Sequence, residues 1–105
     1  MARLSDSEAA LIGRALGDPN RLALYTQIAG CEEVFCGKME AMHRISSATL
    51  SHHLKVLTEL GLITSRRSGT HIYYRAVPER MAAYVEYLSA IASRGANRFA
   101  GRPFR

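Results

Sequence analysis

Residues 46–76, SSATLSHHLKVLTELGLITSRRSGTHIYYRA, decide the fold of this chain. The stretch opens as a helix. Ser46 is a good N-cap, because its hydroxyl can accept from an orphan N–H of the first turn. Gly61 is the residue type that tolerates the left-handed conformation just past a helix end. Leu50, Leu54 and Leu57 fall at i, i+4 and i+7 and form one apolar stripe. Ser47, Ser51, His52 and Lys55 fall on the other side, where all four can donate hydrogen bonds. Such a face suits base edges and phosphates; an ordinary solvated helix face is the alternative.

The residues after Gly61 favour the first choice. Leu62–Arg67 and Thr70–Ala76 are short runs rich in β-branched and aromatic residues around Ser68-Gly69, the pattern of a β-hairpin with a tight turn. Ile72, Tyr74 and Ala76 alternate with His71, Tyr73 and Arg75, so one face can pack while the other meets solvent or a ligand. Arg66 and Arg67 stand just before the tip. A cationic hairpin beside a polar helix can read a duplex in two adjacent places.

Working outward, Ser5-Asp6-Ser7-Glu8 has capping-box spacing and predicts a first helix running to Leu16, stopped by Gly17. Asp18-Pro19 restarts a second helix, with Asp as N-cap and Pro at the first helical position. Leu22, Tyr25, Ile28 and Ala29 supply its apolar stripe, and Gly30 ends it. A short third helix fits Gly37–Met42. Helix, short turn and helix over residues 37–60 make a helix-turn-helix unit. After Pro78, residues 79–93 predict a last helix with Met81, Tyr84, Val85, Leu88 and Ile91 as a broad apolar stripe. The segment from Arg94 to Arg105 reads as a basic flexible tail.

The region resembles the winged helix-turn-helix of the ArsR/SmtB family of bacterial repressors. The carrying residues are Ser51-His52-His53-Leu54-Lys55-Val56-Leu57, Leu60-Gly61-Leu62-Ile63, Ser65-Arg66-Arg67, Gly69 and Tyr73-Tyr74-Arg75. Leu16-Gly17-Asp18-Pro19-Asn20-Arg21-Leu22 matches the family's opening motif. The resemblance implies a mainly α fold with a small β-hairpin, in the order α-α-α-α-β-β-α. It also implies a homodimer built from the first and last helices, with residues 1–93 as the DNA-binding and dimerisation domain. Two recognition helices about 34–36 Å apart would enter successive major grooves of a near-palindromic duplex site.

Composition agrees. The chain has 105 residues, 48% of them apolar, which suits one domain with a real core. No apolar run approaches the ~18–20 residues that span a bilayer, and the N-terminus lacks a secretion signal, so a cytoplasmic location is expected. Residues 1–60 carry six Lys/Arg and seven Asp/Glu, for −1; residues 61–105 carry eight Arg and two Glu, for +6. Charge concentrated on the hairpin and tail points to an anionic partner. Duplex DNA fits better than a membrane, since no basic amphipathic helix with bulky anchors accompanies it.

DNA contacts are therefore expected from Ser47, Ser51, His52, Lys55, Arg66 and Arg67, and also Arg75. An interaction module that leaves DNA alone would need an apolar or acidic recognition face. A thiol enzyme would need a Cys-x-x-Cys motif and an alternating βαβ pattern, and neither is present; the chain is not expected to be an enzyme.

Cys31 and Cys36 are the candidate switch. No cofactor is required by this reading. Cys36, at a helix N-terminus with Lys38 nearby, is expected to be the low-pKa attacking thiol and Cys31 the resolving one. Thiol oxidation or reactive sulfur is one route to induction, and a soft metal or metalloid held by both thiolates is another. Buried structural cysteines are a third possibility. In metal- and arsenic-sensing members a Cys-x-Cys pair stands here; Cys36 matches the first and Lys38 replaces the second. Residues 79–93 contain no His or Asp, so the family's zinc site on the last helix is not expected. His52 and His53 point about 100° apart on a helix, which suits His52 to DNA and His53 to the packed edge.

Overall fold

The computed structural model describes residues 3–98. Five helices and a small sheet succeed one another as α1 (Asp6–Leu16), α2 (Pro19–Ala29), β1 (Val34–Phe35), α3 (Cys36–His43), α4 (Ser47–Glu59), β2 (Ile63–Ser68), β3 (His71–Ala76) and α5 (Pro78–Arg98). This is a winged helix-turn-helix, with α3 and α4 as the two-helix unit and β2–β3 as the wing. Among the described residues no helix is long and apolar enough to cross a membrane.

Local chemistry sets the helix starts. Ser5 Oγ accepts from the Glu8 N–H at 3.1 Å while the Glu8 carboxylate accepts from the Ser5 N–H at 2.9 Å, a closed capping box. Asp18 accepts from the N–H groups of Asn20 and Arg21 at 2.9 and 3.1 Å, with Pro19 at the first helical position. Ser46 accepts from the Thr49 N–H at 3.2 Å. The corner between α3 and α4 is made by Arg44 in the left-handed region (φ 51°), where a glycine is the more usual choice.

One core joins all the layers. Ile12, Leu24, Ile28, Met39, Leu50, Leu54, Leu57, Leu62 and Ile63 are fully buried. The α4 stripe is as expected. On α2 the buried face is Leu24, Tyr25 and Ile28; Leu22, predicted to pack, is 47% exposed. On α5 the predicted stripe divides. Met81 and Tyr84, with Ala83 and Tyr87, pack on the core, whereas Val85, Leu88 and Ile91 stay exposed. Tyr84 lies against Gly13 of α1, where a Cβ would meet its hydroxyl at 3.0 Å. Arg80 ties three elements: its Nε donates to the Leu60 carbonyl at 2.9 Å and an Nη to Glu8 at 3.1 Å.

Three features differ from expectation, beside an α3 that is one residue longer at each end than Gly37–Met42. The sheet has three strands, ordered β1-β3-β2, because Val34 and Phe35 pair antiparallel with Tyr74 and Tyr73. The hairpin turn is Gly69-Thr70, one residue later than Ser68-Gly69, since Ser68 still pairs with His71. Gly69 takes φ 61° at the first central position, as a type II′ hairpin requires. Finally α5 continues to Arg98, so residues 94–98 of the expected tail are helical; residues 99–105 lie outside the described residues.

Candidate nucleic-acid interface

Burying Leu50, Leu54 and Leu57 fixes which side of α4 faces outward. Ser51, His52 and Lys55 are exposed together. Lys55 has only a 4.0 Å contact with Glu59, two exposed charges whose pairing is weak. Ser47 is exposed but already donates to the Glu40 carboxylate of α3. Its hydroxyl thus braces the two helices of the unit as well as facing outward. Arg44, exposed at the corner just before α4, is a cation that helical spacing gave no reason to select.

His53 packs inward, as its position on the helix predicted, and is 6% exposed. Its Nδ1 lies 3.5 Å from an Nη of Arg21, whose Nε donates to the Ala15 carbonyl at 2.9 Å. Burial pushes the His53 pKa below its ordinary value, opposed by nearby Asp18 and reinforced by Arg21. Arg21 therefore links the corner of α1 and α2 to His53 of the recognition helix.

In the wing, antiparallel pairing puts directly opposed residues on the same face. Arg66 pairs with Tyr73 and Arg67 with Ile72, so the two arginines point to opposite faces. Arg67 is exposed on the face that continues Ile72 and Tyr74. Arg66 is on the outer face and does not stand free for phosphate as expected. Its Nε and an Nη each donate to one oxygen of Glu33 at 2.7 Å, and its guanidinium lies 4.6 Å over the Tyr73 ring. Phe35 extends this cluster, with its ring 4.6 Å from His71 and 5.8 Å from Tyr73. Arg75 is exposed on the same face, near enough to Glu33 to help hold that carboxyl below its usual range, after Arg66's larger effect. The sequence offered no signal for Glu33 as a wing residue.

The cysteines bracket β1. Cys31 is exposed and Cys36 is half-buried against the core. The expected low-pKa Cys36 is not found. Burial pushes its thiol up, and the Glu40 carboxylate one turn along α3 adds to the rise. The exposed Lys38 does not offset them. Among the described residues no group of three or more His, Cys, Asp or Glu is arranged to hold a metal ion.

Comparison with known proteins agrees with this geometry. Residues 16–66 match the family model described as a helix-turn-helix domain. The biofilm growth-associated repressor of Agrobacterium fabrum is 36% identical over 85 residues, which cover 81% of this chain and 72% of that protein. The transcriptional repressor SmtB of Mycobacterium tuberculosis is 33% identical over 82 residues, 78% of this chain and 58% of the relative. A homodimeric winged helix-turn-helix DNA-binding domain from Mycobacterium bovis superposes with a TM-score of 0.66 at 26% identity, covering 89% of this chain and 91% of that one. With its opening motif, recognition helix and wing in the expected order, the chain belongs to the ArsR/SmtB family of winged helix-turn-helix DNA-binding transcriptional regulators.

Proposed function

We propose that the protein is a homodimeric repressor that holds a near-palindromic operator and is released by oxidation of Cys31 and Cys36. The observation that carries the DNA reading is the outward face of α4, where Ser51, His52 and Lys55 stand together and exposed. Ser51 and His52 are suited to base edges; Lys55, Arg67 and Arg75 are suited to phosphates. Ser47 serves at the margin of that face. A dimer is supported by Val85, Leu88 and Ile91, large apolar side chains left exposed on a helix that also packs inward. The M. bovis neighbour is itself homodimeric.

The test is fluorescence anisotropy with a duplex from the gene's upstream region at fixed salt. Reduced protein is expected to bind it about 10³-fold tighter, or more, than a scrambled duplex. Equal affinity for both would contradict an operator-binding repressor.

The thiol step rests on exposure. Cys31, the accessible thiol, attacks a hydroperoxide; the O–O bond breaks, Cys31 becomes a sulfenic acid and the other oxygen leaves as water or an alcohol. Cys36 sulfur then displaces the hydroxyl as water and closes the disulfide. This reverses the order expected from the sequence, because Cys36 is half-buried and burial pushes its thiol up. Closure requires the two Cα atoms within ~4.4–6.8 Å. The two extended residues of β1 alone carry the chain about 10 Å from Glu33 to Cys36. The disulfide would close a loop around Val34 and Phe35, the residues that pair with Tyr74 and Tyr73, and so act on that pairing.

Peroxide is expected to release the wild-type protein from its operator and to leave the Cys36→Ser variant bound. Anisotropy, with mass spectrometry to register the loss of two hydrogens, measures both. Equal release of the variant, or release by arsenite and not by peroxide, would contradict the disulfide reading.

A further inference from the structure

The outer strand of the wing has little core packing to orient it. Along β2 only Ile63 is buried, and Thr64–Ser68 are all exposed. Core packing fixes the base of the hairpin and leaves its outer length to other contacts. One contact crosses the whole sheet. Arg66 on β2 reaches over Tyr73 of the central strand to Glu33, the residue that leads into β1 on the far edge. Two strand spacings, roughly 10 Å, are bridged by one side chain. The bond is bidentate and charge-assisted, with both oxygens of the carboxylate engaged at 2.7 Å. The Glu33 side chain is only 20% exposed, whereas Arg66 is 56% exposed.

We propose that Glu33 is the positioning residue of the wing: it holds Arg66 as a cross-sheet brace, and Arg66 keeps this partner when DNA is bound. Arg66 acts on DNA through the attitude of the hairpin, and Arg67, on the opposite face, makes the phosphate contact. Glu33 lies between Cys31 and Cys36, so a change at either thiol reaches the wing through this brace. The proposal rests on the reading that the wing meets DNA.

The alternative use of the same residues makes the opposite forecast. If Arg66 left Glu33 for a phosphate, Glu33 would be a competitor, and neutralising it would tighten DNA binding. If Glu33 is the brace, neutralising it loosens the wing and weakens binding.

The experiment measures operator affinity against salt for full-length reduced wild type, Glu33→Gln, Arg66→Ala and the pair together. Each single variant is expected to weaken binding by roughly fivefold, the upper end for a partly exposed ion pair. The double variant should be no worse than either single one, because both remove the same contact. The slope of log affinity against log salt should not change. Glu33→Arg combined with Arg66→Glu should bind better than Arg66→Glu alone with an unchanged salt slope; a rescue by a new phosphate contact would steepen the slope by about 0.9. Tighter or unchanged binding by Glu33→Gln would overturn the proposal. So would a salt slope reduced by about 0.9 in Arg66→Ala, the signature of one lost phosphate contact. Arg67→Ala combined with Arg75→Ala separates this failure from failure of the wing reading: unchanged affinity and slope there mean that the wing's remaining exposed arginines do not meet DNA.

Discussion

A protein carrying Leu88→Glu together with Ile91→Glu is expected to be a folded monomer whose operator affinity has fallen by at least ~10²-fold. Both side chains lie on the outward side of α5, 45% and 47% exposed, so neither change opens the core. The inward contacts of α5, through Ala83, Tyr84, Tyr87 and the Arg80 ties to Glu8 and Leu60, are untouched. The substitutions add unpaired charge at the surface that a second copy would bury, where isolated charge is strongly disfavoured. A monomer can place only one recognition helix, and its binding drops toward the non-specific level. Analytical ultracentrifugation and anisotropy measure the two halves of the expectation. A variant that remains dimeric would remove α5 from the interface.

The second large effect concerns the core beneath α4. Leu57→Ala is expected to cost about 2–5 kcal/mol of unfolding free energy, the range for a buried Leu whose cavity only partly collapses. Leu57 is fully buried and shares its cluster with Leu54, Ile12 and Leu62. For a domain of this size that is a large part of the total stability. Urea unfolding at one fixed protomer concentration measures it, since dimerisation makes apparent stability depend on concentration. Lys55→Ala gives the opposite pattern. It should leave the unfolding midpoint nearly unchanged and weaken operator binding, because the Lys55 side chain is 75% exposed and its contact with Glu59 is a weak surface pair. A Leu57→Ala cost below about 1 kcal/mol would contradict the assigned orientation of α4.

The local signals in the sequence were legible where the physics is local. Ser5, Asp18 and Ser46 each cap the next helix, because a cap needs only a hydroxyl or carboxylate two or three residues before the N–H it accepts. The Leu50, Leu54 and Leu57 stripe was readable for the same reason. Most of the misses are non-local. Val34-Phe35 is too short to alternate and becomes a strand only because β3 offers an edge forty residues away. Leu22 and Leu24 are equally apolar; the turn between α1 and α2 decides which of them faces the core. Cys36 does sit at a helix N-terminus, but burial and Glu40 outweigh that position. Arg66 looked like a free cation beside Arg67. Its partner Glu33 is thirty-three residues earlier, and strand pairing alone brings them together.

The central claim is that two copies of α4 enter successive major grooves of one operator. Dimethyl sulfate protection of guanine N7, which lies in the major groove, tests it most directly on the reduced protein bound to its upstream duplex. Two protected clusters centred about 10–10.5 base pairs apart are the predicted result. A single cluster, or guanines that remain equally reactive with and without protein, would contradict it.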